Sequence, residues 1–336
     1  MTGRRRFLKE ALAIAGSLTV GYRGVQAQQQ RRRINTVLGE IHPDDLGITL
    51  IHEHVLVDFS GAAHVDESKW NPHDVLTKVT PYFSALKRTG CNTLVDCTPN
   101  YLGRDVALLK MVSEHTKVQV ITNTGYYGGS DHKFLPPHAF VETEDQLAKR
   151  WMEEWSRGID GTAVKPGFIK ISVNSGALSE ISIKLIRAAG ITSQKTGLTI
   201  MSHTGPYEPA AEQIEILKSM SVDPSAFVWV HAQTEKEPSN YIKVVKDGSW
   251  VSLDGLSEGN VKEYADLLAF MKENQCLHRT LISHDAGWYD PAKEGGGEFR
   301  PYTTLFSKLL PELKAKGFTK SDVDVLLKTN PRTMLT

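Results

Sequence analysis

The stretch ITLIHEH at residues 48–54 is a short apolar run that ends in two histidines. A run of this length, rich in isoleucine and leucine, is typical of a buried strand in a parallel β-sheet. Alternate residues of a strand share a face, so His52 and His54 point to one side and Glu53 points to the other. Two imidazoles on one face can chelate a metal ion. Taken alone, the pattern is equally compatible with a chance pair of surface histidines.

The run at 48–54 opens a regular alternation of strands and helices. Seven further apolar runs follow it, at residues 92–98, 118–124, 167–172, 198–204, 227–233, 250–255 and 280–286. Segments with helical periodicity lie between and after them, at residues 75–89, 106–115, 144–159, 181–197, 209–220, 238–247, 261–274, 303–316 and 321–328. This order predicts an α/β fold, a single (β/α)8 TIM barrel over residues 34–336. The alternative is a doubly wound open sheet, which ordinarily carries a glycine-rich phosphate loop after its first strand, and ITLIHEH is unlike such a loop.

The composition is that of an ordinary globular protein. The chain has 336 residues, 40% of them hydrophobic, and 39 basic residues balance 39 acidic ones. A net charge of zero gives no electrostatic basis for a nucleic-acid or membrane-surface partner. Three cysteines, Cys91, Cys97 and Cys276, are too few for a disulfide framework. We interpret Cys97 as a small core residue rather than a catalytic thiol.

Residues 1–27 have the three zones of an export signal. A basic zone with paired arginines precedes Phe7-Leu8-Lys9, an apolar zone covers 11–20, and Val25-Gln26-Ala27 is a small-x-small cleavage site. The arginine pair is similar to that of a twin-arginine signal. We therefore expect a cleaved signal peptide at 1–27, a transient interaction with the twin-arginine export machinery, a disordered lead-in at 28–33, and a periplasmic or secreted mature chain. The alternative is a basic amphipathic helix that lies on a membrane.

Polar residues recur at the ends of the predicted strands, where a barrel places its active site. Lys170 lies on the fourth run, His203 on the fifth, His231 on the sixth and Asp285 on the eighth. Each one alone has an ordinary structural explanation. Together with the two histidines of the first run, they form a set of ligands suited to zinc, manganese, cobalt or iron.

Lys170 is the unusual member of this set, because isoleucines and Phe168 surround it in the sequence. Burial penalises the charged form of the amine and favours the neutral form. A neutral amine can react with carbon dioxide to form a carbamate, whose two oxygens can bridge two metal ions. The alternative is a lysine whose stem lies along the strand while its amine reaches solvent.

Several stretches resemble the phosphotriesterase-like family of the amidohydrolase superfamily, over about residues 33–336. They are RINTVLG at 33–39, HEH at 52–54, GFIK at 167–170, SHT at 202–204, His231, Asp285 and TNPR at 329–332. The resemblance implies that His52, His54 and Asp285 bind the more buried metal. It implies that His203 and His231 bind the more exposed metal. A carboxylated Lys170 would bridge the two ions together with a hydroxide.

The resemblance also implies a reaction. Two divalent cations, expected to be zinc, acidify the bridging water, and the hydroxide attacks an ester carbonyl or a phosphoryl centre. Asp285 would accept the proton, with His231 as a relay; His284 is expected to point outward and to serve in packing. Mononuclear deaminases of the superfamily place a glutamate where this chain has Pro206. A barrel that only binds metal is the non-enzymatic alternative, and a homodimer is expected because family members often form one.

The loops after the strands bear on the substrate. Tyr126 and Tyr127 follow the third run, where a tyrosine resembles the lactonases of the family; aromatic packing is the alternative. The glycine-rich loop at 287–300 is expected to act as a mobile lid, with Trp288 and Tyr289 as an apolar pocket wall; exposed aromatic residues at a loop tip are the alternative. The quorum-signal lactonases carry an arginine near residues 254–258, and this chain has none there. We therefore expect a small-molecule lactone or carboxyl ester as the substrate, with organophosphate triesters as the alternative.

Overall fold

The structure is a computed structural model that describes residues 33–336. The predicted signal peptide at 1–27 lies outside the described residues, and so does all but the last residue of the predicted lead-in. An antiparallel hairpin comes first, formed by β1 (Ile34–Thr36) and β2 (Gly39–Ile41). Its turn is joined to the barrel by the amide of Val37, which donates to the carbonyl of Val120 at 2.9 Å.

Parallel strands form a closed barrel, as the sequence predicts. In chain order they are β3 (Ile48–Leu56), β4 (Cys91–Asp96), β5 (Gln119–Ile121), β6 (Asn123–Thr124), β7 (Phe168–Ser172), β8 (Ile200–His203), β9 (Phe227–Val230), β10 (Trp250–Leu253), β11 (Thr280–Ile282) and β12 (Gly287–Tyr289). Segments β5 and β6 together make the third barrel strand, and β11 and β12 make the eighth. Because β12 pairs with β3, the sheet closes on itself, which excludes the doubly wound alternative.

Helices follow the strands around the outside. They are α1 (Pro72–Arg88), α2 (Val106–Thr116), α3 (Pro137–Val141), α4 (Glu144–Arg157), α5 (Glu180–Thr196), α6 (Tyr207–Ser219), α7 (Ser239–Lys246), α8 (Val261–Glu273), α9 (Leu310–Ala315), α10 (Lys320–Asp324) and α11 (Asn330–Met334). Single π-helical turns, Leu305–Leu309 and Val325–Thr329, lead into α9 and α11. Within residues 33–336, no helix combines the length and the apolar character needed to cross a bilayer.

Local signals in the sequence explain where helices begin. The helix predicted from residue 75 starts earlier, at Pro72, because the side chain of Asn71 accepts from the amide of His73 and proline suits the first turn. Helix α4 starts at a capping box in which Thr143 and Gln146 satisfy each other's amides. Such caps determine the residue at which each of these two helices begins.

The barrel interior below its polar end is apolar. Side chains from successive strands fill it, among them Ile51, Val95, Ile121, Phe168, Met201 and Val228, all fully buried. Ile34 of the hairpin and Met334 of the last helix join the same cluster and cover the amino-terminal end of the strands. The polar side chains of the strands are therefore confined to the carboxyl end, where solvent can enter.

Glu53 lies on the outward face of the first strand, where its carboxylate bonds to the last strand of the barrel. One carboxylate oxygen of Glu53 accepts from Nδ1 of His284 at 2.7 Å, from Oγ of Ser283 at 2.8 Å and from the amide of His284 at 3.1 Å. The other oxygen accepts from the amide of Ala286 at 2.8 Å. Nε2 of His284 accepts from the amide of Leu305 at 2.9 Å. Glu53 and His284 thus point away from the barrel centre and join the first strand to the last.

We expect Glu53→Gln to lower the free energy of unfolding by about 3 kcal/mol, because the amide group would face donors where a buried carboxylate accepts four hydrogen bonds. Urea unfolding of the metal-loaded protein measures the effect. Glu114→Gln, on the exposed side of α2, is the matched control and should change the midpoint little. An unchanged midpoint in Glu53→Gln would contradict the assigned role.

Candidate metal centre

The residues that the sequence predicts as ligands converge at the carboxyl end of the barrel. They line one pocket and come from five of the eight strands: His52, His54, Lys170, His203, His231 and Asp285. The two histidines of β3 line the pocket together, as predicted, while a register shift between Leu50 and Glu53 lets Ile51 also face the interior. No single segment of the chain carries more than two of these residues.

Three of these side chains form a compact group around the first strand. Nε2 of His54 lies 3.0 Å from Oδ1 of Asp285, and Nε2 of His52 lies 3.8 Å from the same oxygen. The amine of Lys170 lies 3.3 Å from Nε2 of His52. Two imidazoles and one carboxylate with ligand atoms this close can hold one divalent cation. Burial alone would raise the pKa of Asp285, but the hydrogen bond to His54 and the neighbouring histidines hold it below its usual range.

A second pair of histidines faces the first group. Nδ1 of His203 and Nε2 of His231 lie 2.7 Å apart, close enough for one hydrogen bond or for a shared metal ion. Burial, together with the neighbouring His231, lowers the pKa of His203 well below its ordinary value. Burial and the charge of Lys170 lower the pKa of His52 to about 4. Neutral imidazoles offer lone pairs, which is the form that a metal ion requires.

Asp254 holds two of the histidines in place, and the sequence analysis did not identify it as a site residue. Its Oδ2 accepts from Nδ1 of His52 at 3.0 Å and from Ser252 at 2.6 Å. Its Oδ1 lies 2.7 Å from Nδ1 of His231. Burial would raise the pKa of Asp254, but the two histidines hold it well below its ordinary value. The carboxylate therefore stays ionised and fixes both imidazoles with Nε2 toward the centre.

His52, His231 and Asp254 also lie close enough to be a metal-binding triad by themselves. The contacts argue against that reading, because the Nδ1–carboxylate distances of 2.7 and 3.0 Å are those of hydrogen bonds. The position of Asp254 was a signal in the sequence. It directly follows the seventh strand, as Asp285 follows the first part of the eighth, and both fall where barrel active sites form.

His54 is oriented by a different partner. Its Nδ1 lies 2.7 Å from Oγ1 of Thr98, and that hydroxyl donates to the carbonyl of Leu56 at 3.1 Å. Because the hydroxyl proton is used, the histidine must donate from Nδ1, which leaves Nε2, the atom beside Asp285, to serve as the ligand when a metal ion binds. All three histidines whose ligand atom is Nε2 therefore have their tautomer set by a hydrogen bond at Nδ1.

His231 was expected to relay a proton, but both of its ring nitrogens already have partners in this arrangement. Nδ1 is bound to Asp254, and Nε2 is the atom turned toward His203 and the centre. His284 lies behind Glu53 and does not line the pocket. Of the two predicted catalytic residues, Asp285 and His231, only Asp285 remains placed to take up a proton.

Three residues at the centre adopt left-handed backbone conformations that non-glycine residues rarely adopt. The φ angles are +62° at His231, +52° at Asp285 and +73° at Trp288. Each conformation costs roughly 1 kcal/mol or more, so the surrounding contacts must hold it in place. At Trp288 such a contact is visible, because the guanidinium of Arg300 stacks on the indole at 4.1 Å.

A largely apolar pocket of about 310 Å³ opens above the ligand set. Its walls are formed mainly by Val57, Phe59, Leu102, Tyr127, Phe134 and Trp288. Cys97 lies beneath, fully buried, and burial raises the pKa of its thiol, so it remains a protonated core residue. An apolar wall beside a cluster of ionisable groups is the usual form of a small-molecule site.

The two tyrosines of the third loop have different positions. Tyr127 lines the pocket, and its hydroxyl lies 3.1 Å from Nε2 of His203. Tyr126 was predicted to contact the substrate, and this prediction is corrected by the structure. Its side chain turns outward, bonds to Nε2 of His138 at 3.0 Å and packs edge-on against Trp151, because neighbouring residues of an extended segment face opposite sides.

The loop predicted as a mobile lid is tied to the barrel at its base. Residues Gly287–Tyr289 form β12, and Gly287 and Arg300 exchange backbone hydrogen bonds of 3.0 and 3.1 Å. The amide of Asp290 donates to the carbonyl of Gly296 within the loop. Trp288 stands on the pocket wall as predicted, while Tyr289 is buried in the core beside Gly296.

The ligand set fits two divalent metal ions. His52, His54 and Asp285 could hold one ion, and His203 with His231 could hold a second. Lys170 is 1% exposed, and within residues 33–336 the hydrogen-bond partner of its amine is a ring nitrogen of His52, with no carboxylate within 4.0 Å. A buried amine without an acidic partner is a costly feature, which a carbamate shared between two cations would remove.

Comparison with known proteins agrees with this geometry. The sequence model described as the phosphotriesterase family matches residues 32–335. The aryldialkylphosphatase of Saccharolobus solfataricus is 28% identical over 305 residues, which cover 87% of this chain and 96% of that protein. The N-acetyltaurine hydrolase of Xenopus tropicalis is 25% identical over 90% of this chain and 98% of that protein. The organophosphorus hydrolase from Deinococcus radiodurans superposes with a TM-score of 0.80 at 27% identity, over 90% of this chain and 97% of its own.

Asp254→Asn should weaken metal binding by about 10- to 100-fold, because an amide oxygen can accept from one histidine but not hold both in their present tautomers. Elemental analysis after dialysis against graded chelator concentrations measures the retained metal. Asp266→Asn, which removes an exposed carboxylate on α8, is the matched control. Equal metal retention in the two variants would show that Asp254 does not support the ligands.

Proposed function

The chain belongs to the phosphotriesterase family, whose members are binuclear metal-dependent hydrolases, and from this we propose that it is a two-metal hydrolase of lactones or carboxyl esters. The observation that carries the proposal is the convergence of four histidines, Asp285 and the buried Lys170 on one pocket. The family follows from sequence similarity alone. The proposed reaction rests on the side chains that line this pocket.

We assign the ligands as two sets joined by one bridge. His52, His54 and Asp285 would hold the first ion, and His203 and His231 would hold the second. Lys170, whose amine lies 3.3 Å from a ring nitrogen of His52, would as a carbamate supply an anionic ligand to both. Zinc suits a set rich in imidazole, and manganese, cobalt and iron are the other metals that such a set accepts.

When bound, the two cations would acidify water and polarise the carbonyl oxygen of the substrate. The protein's own groups then account for orientation and proton transfer. Asp285 is placed to accept the proton of the attacking water at its carboxylate, which the neighbouring histidines keep ionised despite its burial. Asp254 and Thr98 keep the histidine rings from turning, so the lone pairs stay directed at the centre. The apolar wall with Trp288 and Phe134 excludes water from the substrate's apolar part.

The pocket favours an ester with an apolar arm. A trigonal ester carbonyl can lie at the polar floor while a single acyl chain or lactone ring lies along the aromatic wall. Phosphotriester hydrolysis is the alternative, supported by the similarity to an aryldialkylphosphatase. The similarity to an N-acetyltaurine hydrolase adds an amide to the substrates worth testing.

Lys170→Met should reduce kcat/KM by about 100-fold or more and remove at least one metal ion, because methionine has similar length but cannot form a carbamate. Activity and metal content are measured on the same preparation. Lys165→Met, which precedes the same strand at the opposite end of the barrel, is the control. Loading wild-type protein with ¹³C-bicarbonate should give a carbamate carbonyl resonance that the Lys170 variant lacks. Full activity in Lys170→Met would contradict the bridging carbamate.

A substrate panel separates the proposed activity from its alternatives. We expect kcat/KM for lactones or aryl carboxyl esters to exceed that for aryl dialkyl phosphates by several orders of magnitude, because the aromatic residues that line the pocket suit the single apolar arm of such an ester. N-acyl amides, with N-acetyltaurine among them, are measured on the same zinc-loaded and manganese-loaded preparations. A higher rate for a phosphotriester or an amide would replace the proposed substrate class.

A further inference from the structure

Lys133 is a pocket-lining residue that the reaction described above does not use. It lies on the loop after β6, and its side chain borders the pocket beside Phe134 and Ser130. Its amine donates to the carbonyl of Phe59 at 2.6 Å, on the loop after β3. An amine has three donors, so this contact leaves two of them for a ligand.

The charge of Lys133 is not balanced by the protein. Within residues 33–336, no carboxylate lies within 4.0 Å of its amine. Lys69, on the neighbouring loop, is different, because it pairs with Asp58 at 3.2 Å and also donates to Ser60. Apart from Lys170, whose amine lies at the metal centre, Lys133 is the one cation among the residues that line the pocket.

The backbone holds Lys133 in place at an energetic cost. The three residues before it, Ser130, Asp131 and His132, all have φ angles between +52° and +65°. Successive left-handed residues cost roughly 1 kcal/mol each, and strain of this kind concentrates at ligand sites. Nδ1 of His132 bonds to the carbonyl of Gly128 at 2.7 Å, and Asn174 accepts from the amide of Asp131.

The loop after β3 fits closely around the stem of Lys133. Gly61 has a φ of +104°, and a Cβ atom at that position would lie 3.1 and 3.2 Å from two carbons of the lysine stem. The amide of Ala62 donates to the carbonyl of Lys133 at 3.0 Å. The side chain of Lys133 is exposed to solvent at the rim of the pocket, but its stem is held between two loops, which restricts its side-chain entropy.

We propose that Lys133 recognises an anionic group at the far end of the substrate, so that the preferred substrates are esters or lactones whose acyl part ends in a carboxylate. This inference rests on the proposed esterase function and narrows its substrate class. The reacting carbonyl lies at the metal centre and the apolar chain along the aromatic wall. The terminal carboxylate accepts hydrogen bonds from the two free donors of Lys133.

A purely structural role is the competing explanation, because the bond from Lys133 to Phe59 also joins two loops. The two roles differ in what they do to matched substrates. A loop tie affects every substrate that uses the pocket, whereas an anion contact affects only the substrate that carries the charge.

The test compares two 4-nitrophenyl esters, the pentanoate and the glutarate half-ester, which differ in a terminal methyl or carboxylate. Both are assayed with the metal-loaded wild type, Lys133→Met, Lys133→Arg and the control Lys110→Met, which removes a charge from the outer helix α2. We expect Lys133→Met to lower kcat/KM for the half-ester by about tenfold, allowing for solvent screening, and to leave the pentanoate within about twofold. Lys133→Arg should retain most of the preference, and added salt should reduce it in the wild type.

Equal losses for both esters, or no loss for either, would overturn the anion contact. Binding of the inert ketone analogues 5-oxohexanoate and 2-hexanone, measured by calorimetry, tests the contact independently of turnover. If neither ester is hydrolysed, the proposed esterase function fails, and a carboxylate preference in binding that Lys133→Met abolishes would still support the contact. Absence of that preference in the wild type would reject it.

Discussion

The hydrogen bonds of Asp254 are the contacts on which the candidate metal centre depends. One carboxylate, fully buried after β10, accepts from Nδ1 of His52 on the first strand and from Nδ1 of His231 after the sixth. A carboxylate buried this deeply is stable only while both imidazoles donate to it. The same bonds turn both Nε2 atoms inward. The stability of the buried charge and the orientation of the two ligands therefore have one cause.

The barrel supplies a rigid frame for that arrangement. Glu53 joins the first strand to the last on the outer face, directly between the two histidines that face inward. One tripeptide thus closes the barrel with its middle residue and contributes to the centre with its outer two. The left-handed conformations of His231 and Asp285 are held by hydrogen bonds, from the amide of His231 to Asp254 and from the amide of Asp285 to the carbonyl of His52. Rigid strands fix the ligands, and the loops remain free to differ in shape.

The pocket above the centre shows how those loops determine selectivity. Tyr127, Phe134 and Lys133 come from the loop after β6, Phe59 from the loop after β3, and Trp288 from β12. Aromatic groups cover the centre, and the loop with the strained turn carries the amine of Lys133, which has no carboxylate within 4.0 Å among residues 33–336. If the proposed hydrolase activity holds, such a pocket would distinguish substrates by the end remote from the reacting bond, where binding energy adds to specificity.

Periodicity in the sequence by itself determined the barrel and the inner face of each strand. Alternation in ITLIHEH predicted that His52 and His54 point inward, that Glu53 points outward, and that residues at strand ends meet, because these follow from local geometry alone. Whether Asp254 would accept from His52 and His231, and whether Tyr126 or Tyr127 would face the pocket, depended on the register of strands far apart in the chain and on the course of the loops. The same holds for the position of Lys133 between two loops. Only the tertiary structure decided these features, since a side-chain hydrogen bond is set by distances of a few tenths of an ångström that no local pattern encodes.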